Sequence, residues 1–180
     1  SALLVSRPLG SELLRSFGDV TVVRVPDGLI ALGAIAAAWR ARFDPFLVGV
    51  TGSIAKTTTK EAIAAVLGER LTTLKNEGNL NNEVGLPLTL LRLGPEHEAA
   101  VLEMGMYVGG EIADLARLAR PSVGVVTAVQ AVHLSRIGSL DAIEAARTRI
   151  GPVPGDGAVR GVWVYQGVVY AWRDNITGTA

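Results

Sequence analysis

Phe46-Leu47-Val48-Gly49-Val50-Thr51-Gly52-Ser53-Ile54-Ala55-Lys56-Thr57-Thr58-Thr59 decides the fold. Phe46 to Val50 is a largely apolar run that stops at Thr51-Gly52, the pattern of a strand buried on both faces of a parallel sheet. The residues from Lys56 to about Glu69 read as a helix. A strand that passes through a short loop into a helix is the setting in which a phosphate group can be cradled. Backbone N–H groups and the helix start face the anion, a lysine reaches its terminal oxygens, and a hydroxyl serves a divalent cation. Lys56 and Thr57 fit the last two roles. The strict pattern departs at two positions. Ala55 stands where glycine precedes the lysine, and Val50 stands at the usual earlier glycine. A Cβ in left-handed backbone costs about 1–2 kcal/mol. An ordinary strand–turn–helix with an exposed lysine is the competing reading of these residues alone.

On both sides of this stretch, strand and helix alternate. Residues 2–5 and 20–25 read as short strands. Asp27 is a plausible N-cap for a helix to about Arg42, with Leu29, Leu32, Ile35, Ala36 and Trp39 on its apolar side. Asp44-Pro45 breaks it. After the central helix come a strand at 71–74, a polar loop at 75–82 and a helix at 83–92. A strand at 99–102 ends at Glu103. A helix at 111–119 is closed by Pro121, a strand covers 123–127, and a helix covers 140–149. This alternation predicts an α/β fold, a mostly parallel sheet with helices on both faces. Ligands bind such sheets at the carboxyl ends of the strands, where Thr51, Glu103 and Thr127 lie. From Gly151 the text changes: a Gly/Pro-rich linker, then an aromatic stretch from Val159 to Trp172 with a candidate hairpin turn at Gln166-Gly167.

Length and composition bound the function. The 180 residues suggest about one domain, and 49% hydrophobic against 19% charged residues exclude intrinsic disorder. A net charge of zero argues against a general nucleic-acid or membrane-surface binder. There is no cysteine, hence no disulfide frame or thiolate site. Fourteen arginines stand against three lysines, Lys56, Lys60 and Lys75, all within one short stretch. No segment reads as a targeting or membrane-spanning element, so the expectation is a soluble, cytoplasmic protein without membrane insertion.

Three further stretches join the loop: Asn76-Glu77-Gly78-Asn79-Leu80-Asn81-Asn82-Glu83-Val84-Gly85-Leu86-Pro87, Val101-Leu102-Glu103-Met104-Gly105 and His133-Leu134-Ser135-Arg136-Ile137-Gly138-Ser139-Leu140. In this order and spacing the four resemble the Mur ligases, over roughly residues 27–147. Within the family they resemble most the branch that adds D-alanyl-D-alanine to UDP-N-acetylmuramoyl-tripeptide in peptidoglycan synthesis. The resemblance implies an ATP-dependent amide ligase. Such an enzyme phosphorylates a substrate carboxylate and lets an amine displace the phosphate, giving an amide, ADP and phosphate. By matching position, Thr51, Gly52, Ser53, Lys56, Thr57 and Thr58 would bind ATP. Thr57 and Glu103 would hold Mg²⁺, and Lys56 and His133 would act at the reacting phosphate. Asn79, Asn81 and Asn82 would line the UDP-muramoyl-peptide side. Each residue has a plainer reading: a solvated strand end for Glu103, a satisfied loop histidine for His133, and turn formers for the asparagines.

The sequence leaves the family pattern at Ala55, at Ala128 where an adenine-contacting asparagine is usual, and at Ser135 where an acid is usual. It also does so at Arg147, where the family has a carbamylated lysine; a guanidinium is permanently protonated and cannot be carbamylated. The resemblance divides the chain into a remnant of an N-terminal UDP-sugar domain (1–43), a central P-loop-like ATP-binding domain (44–150) and a divergent aromatic tail (151–180), with the C-terminal ligase domain absent. The expectation is a truncated ligase with impaired catalysis. The alternatives are a pseudoenzyme module that still binds a nucleotide or UDP-sugar, and an inert or partner-docking fragment that self-associates through its tail.

Overall fold

A computed structural model describes residues 1–128 and the strands at 159–165 and 168–173. The expected helix at 140–149, the linker at 151–157, the turn at Gln166-Gly167, and His133, Ser135 and Arg147 lie outside the described residues.

The N-terminal stretch is a small βαβ unit. β1 (Ala2–Val5) and β2 (Thr21–Arg24) pair in parallel around α1 (Ser11–Ser16), a short helix the sequence reading did not foresee. None of α1 is buried, and Leu4, Leu13, Leu14 and Val23 are exposed. α2 (Gly28–Arg40) follows, capped as expected: Asp27 Oδ1 accepts from the N–H groups of Leu29 (2.7 Å) and Ile30 (3.0 Å).

The expected apolar face of α2 holds at Ala36 and Trp39 and fails at Leu29 and Ile35. The helix buries Gly33, Ala36 and Arg40, while Leu29 and Ile35 stay exposed. The buried stripe is built from small residues, which lets the helix lie close to its neighbours. A Cβ on Gly33 would sit 3.6 Å from Leu118. Arg40 closes the contact: its Nε donates to the carbonyl of Ala119 (2.9 Å) at the end of a later helix, and its Nη1 donates to that of Phe43 (2.6 Å). A cation is favoured at a helix C-terminus. Burial pulls the Arg40 guanidinium below its ordinary pKa, against the opposing pull of Asp44.

The main sheet is built from β3 (Phe46–Thr51), β4 (Thr73–Lys75), β5 (Ala99–Glu103), β6 (Val123–Val126), β7 (Val159–Tyr165) and β8 (Val168–Arg173). Its spatial order is β4-β5-β3-β6-β8-β7. The first four strands are mutually parallel, joined through α3 (Lys56–Gly68), α4 (Gly85–Leu90) and α5 (Glu111–Ala119). β8 runs antiparallel to β6, and β7 antiparallel to β8, so the aromatic stretch forms two strands of this same sheet.

Alternation along the strands sends side chains to two apolar layers. Leu47 and Leu102 join Leu86, Leu90, Ile112 and Leu115 beneath α2, α4 and α5. Val48, Val50, Val101 and Val125 join Ala64 of α3 on the other face. Each such side chain, fully removed from water, contributes about 1.5–3 kcal/mol. The expected architecture, a mostly parallel sheet covered on both faces, is the one observed. Among the described residues no helix is long and apolar enough to cross a membrane.

Register aligns the strand ends. Val50 pairs with Glu103 and Thr51 with Val126, so the ends of β3, β5 and β6 open at one edge.

Candidate functional site

β3 ends at Thr51 and α3 begins at Lys56, leaving Gly52–Ala55 as the connecting loop. Backbone contacts fix it to the end of β6. Thr127 N–H donates to Thr51 O (2.9 Å), and Ser53 N–H donates to Ala128 O (2.8 Å). The Thr127 hydroxyl donates to Ile54 O at 2.5 Å. Gly52 is required here. Its φ is +145°, and a Cβ would meet Thr127 Oγ1 at 2.0 Å and the backbone nitrogens of Thr127 and Ala128 at 3.0 and 3.1 Å. Thr51 is buried, and its hydroxyl donates to Met104 O (2.9 Å), tying the ends of β3 and β5. Ala55 adopts φ 61°, ψ 13°, the left-handed conformation that its place before Lys56 implied. The half-buried Lys56 opens α3, whose first turn holds no acid, so the helix start keeps its positive potential.

Glu103 meets this loop. It is 2% exposed, and its carboxylate takes one donor on each oxygen: the Thr57 hydroxyl on Oε2 (2.8 Å) and the Asn81 amide on Oε1 (2.8 Å). The solvated strand end of the plainer reading is therefore excluded. Asn81 also accepts the Gly105 N–H on its carbonyl (2.7 Å). A Cβ on Gly105 would stand 2.9 Å from Asn81 Oδ1, so a glycine is needed for this approach.

The asparagines divide their work. Asn82 Oδ1 accepts from Gly85 N–H (2.9 Å) and Val84 N–H (3.3 Å), capping the start of α4. Asn79 is exposed in the turn that includes Gly78 (φ +51°), and its carbonyl accepts the Asn81 N–H (2.8 Å). Thr58 is exposed on α3. Thr57 and Asn81 are thus each brought onto Glu103, Lys56 adjoins Thr57 in the chain, and Asn79 stands apart. Beside Asn82 an open cleft runs between Gly105, Tyr107, Glu111, Leu115 and Leu118. Glu111 shapes its rim by accepting the N–H groups of Tyr107 (2.5 Å) and Val108 (3.0 Å).

Three site residues escaped the sequence reading. Asn76 is fully buried, and its amide grips the backbone of Glu103. Lys60 is fully buried and donates to Asn76 O (2.6 Å). Thr127 was noted only as a strand end. The signal for Lys60 was present: with Ala64 it forms an i, i+4 stripe on the buried face of α3. Glu61 accepts from Lys60 (3.0 Å) and also pairs with Lys75, and these lysines, Lys75 foremost, hold its carboxyl below the usual carboxylate range.

Fold and site together define an α/β domain with a strand–loop–helix at the carboxyl edge of its parallel strands. Residues 50–159 match the Mur ligase middle domain, and the chain belongs to the Mur ligase family. It is 48% identical over 126 residues to the UDP-N-acetylmuramoyl-tripeptide--D-alanyl-D-alanine ligase of Synechocystis, covering 70% of this chain and 28% of that protein. With the Escherichia coli ligase of the same name it shares 42% identity over 149 residues, 83% of this chain and 31% of that protein. Among solved structures, MurF from Acinetobacter baumannii superposes with a TM-score of 0.74 at 34% identity, over 82% of this chain and 31% of that one. MurF from Thermotoga maritima, solved in complex with ADP, gives 0.70 at 26% identity, over 94% and 46%. The chain therefore spans under a third of the length of these two curated relatives.

Proposed function

We propose that the chain is the nucleotide-binding part of an ATP-dependent, cytoplasmic ligase that joins D-alanyl-D-alanine to UDP-N-acetylmuramoyl-tripeptide. The observation that carries this reading is the contact between the Thr57 hydroxyl and the buried Glu103 carboxylate, beside Lys56 at the head of α3. The residues fit a Mg-nucleotide. Gly52 brings no Cβ to the loop, Lys56 supplies a cation, and Thr57 and Glu103 offer the hard oxygen donors Mg²⁺ takes. Mg²⁺ usually keeps one or two protein ligands and completes its shell with phosphate oxygens and water. That agrees with the lack, among the described residues, of any cluster of three acidic or imidazole ligands.

When bound, the metal would neutralise charge on the transferring phosphoryl group. Lys56 would orient the terminal phosphates, Thr57 and Glu103 would hold the metal side, and Thr127 would keep the loop in shape through Ile54. Asn82 and the cleft beside it would face the muramoyl-peptide. In such a ligase these residues would bind Mg-ATP and orient it for transfer of its terminal phosphoryl group. The left-handed Ala55, which crowds the loop with a Cβ, favours weak binding.

Calorimetric titration of Mg-ATP tests the reading. Saturable binding is expected, weakened about 10-fold or more in Lys56→Ala, as for the loss of a hydrogen bond to a charged group. Absence of binding, or equal binding by both proteins, would overturn it. Steady phosphate release with both ligase substrates present would overturn the expectation of impaired catalysis.

A further inference from the structure

We infer that Asn76 and Lys60 are positioning residues for the Glu103 carboxylate; this rests on the proposed reading of Thr57 and Glu103 as the metal-facing pair. β4 leaves the sheet after Lys75, whose ladder partner is Val101. Continued in register, residue 77 would face Glu103. The chain turns away instead, and the side-chain amide of Asn76 supplies the missing ladder bonds. Oδ1 accepts the Glu103 N–H at 2.9 Å, and Nδ2 donates to the Glu103 carbonyl at 3.0 Å and to the Leu80 carbonyl at 2.8 Å. One amide thereby grips both backbone polar groups of Glu103 and closes the Asn-rich turn.

The grip is anchored from below. The Lys60 ammonium, wholly buried, donates to the backbone carbonyl of Asn76 at 2.6 Å and pairs with Glu61 at 3.0 Å. An apolar side chain would fill this position without an ion to desolvate. What the lysine adds is a link from α3 to the turn. Lys60 lies three residues beyond Thr57, about one helical turn along. A closed ring results: Thr57, α3, Lys60, Asn76, Glu103 and back to Thr57 through the 2.8 Å contact. The ring sets the spacing of hydroxyl and carboxylate before any ligand arrives, the preorganisation that metal ligands obtain from their supporting residues.

The test is the Mg²⁺ dependence of ADP binding by calorimetry, in the chain and in Asn76→Ala, Lys60→Met and the exposed control Val66→Ala, with folding followed by circular dichroism. The half-saturating Mg²⁺ concentration is expected to rise about 10-fold or more in Asn76→Ala, and less in Lys60→Met. Metal-free ADP affinity and the Val66→Ala control should stay unchanged. Should Asn76→Ala fail to fold, Asn76→Asp keeps the acceptor for the Glu103 N–H, loses both donors, and is expected to shift the midpoint the same way. A folded variant with the parental Mg²⁺ midpoint would overturn the inference. So would metal-free and metal-bound affinities falling together, the mark of a merely structural role. If ADP binding by the parent protein ignores Mg²⁺, the metal reading of Thr57 and Glu103 fails. Hydrogen exchange at the Glu103 amide then decides the clamp: faster exchange in Asn76→Ala supports it, and an unchanged rate removes it.

Discussion

Two loops meet at Glu103, and they are built in opposite ways. The loop after β3 is held by its backbone. Ser53 N–H and Ile54 O are tied to the end of β6, Gly52 turns where a Cβ has no room, and Ala55 accepts left-handed geometry. The loop after β4 is held by side chains. Asn76, Asn81 and Asn82 each place an amide on another residue's backbone or carboxylate. A backbone-held loop tolerates little change in the residues that shape the turn. A side-chain-held loop fixes a neighbouring carboxylate but depends on individual amides.

The largest effect that can break this contrast is Gly52→Ala. The new Cβ would stand 2.0 Å from Thr127 Oγ1, with two backbone nitrogens at 3.0 and 3.1 Å, so the loop or the end of β6 must move. Strain and overpacking together should cost about 3 kcal/mol or more and abolish Mg-ATP binding. Urea unfolding reads the first and calorimetry the second. If the loop is held as described, adding Thr127→Ala should recover part of the lost stability, because the nearest clash disappears, while the backbone contacts keep recovery incomplete. Full recovery, or none, would show that the strain lies elsewhere.

The same contrast explains what could be read from the sequence. A backbone-held loop leaves its mark on residue type: a glycine where no Cβ fits, a lysine and threonines at a helix start, an apolar strand before them. Gly52, Lys56 and Thr57 were legible for that reason, as were the parallel order and the strand-end position of Glu103. The side-chain-held loop leaves asparagines that look like turn formers. Little local tells that Asn76 faces inward, since two of its three partners, Glu103 and Lys60, are 27 and 16 residues away. The face of α2 misread for a related reason. Apolar periodicity placed Ala36 correctly but also favoured the large residues Leu29 and Ile35, whereas the close approach of α5 selected Gly33 beside Ala36.

A moderate effect is expected from Thr127→Val, which keeps shape and removes the hydroxyl. The Ile54 carbonyl loses its 2.5 Å donor, at a cost of about 1 kcal/mol. The loop should become more open to proteolysis and Mg-ATP affinity should fall, while the Glu103 amide, held by Asn76, keeps its protection from hydrogen exchange. Equal loss of protection at Glu103 would mean that the two loops are one mechanical unit rather than two.

The smallest change separates strain from function. Ala55→Gly removes the Cβ from a residue at φ 61°. Relief of left-handed strain is worth about 1–2 kcal/mol, but glycine gains more freedom in the unfolded chain, which offsets about 0.5–1 kcal/mol. The net gain in stability should be under about 1.5 kcal/mol, a rise in Tm of a few degrees at most. Nucleotide affinity is the more telling readout. If the Cβ only strains the backbone, Mg-ATP should bind the variant as it binds the parent, since both hold the same loop. If the Cβ also occupies space that phosphate oxygens need, affinity should rise by more than the stability does. The second outcome is expected, because Ala55 is exposed, directly before Lys56, and its Cβ is not part of the core.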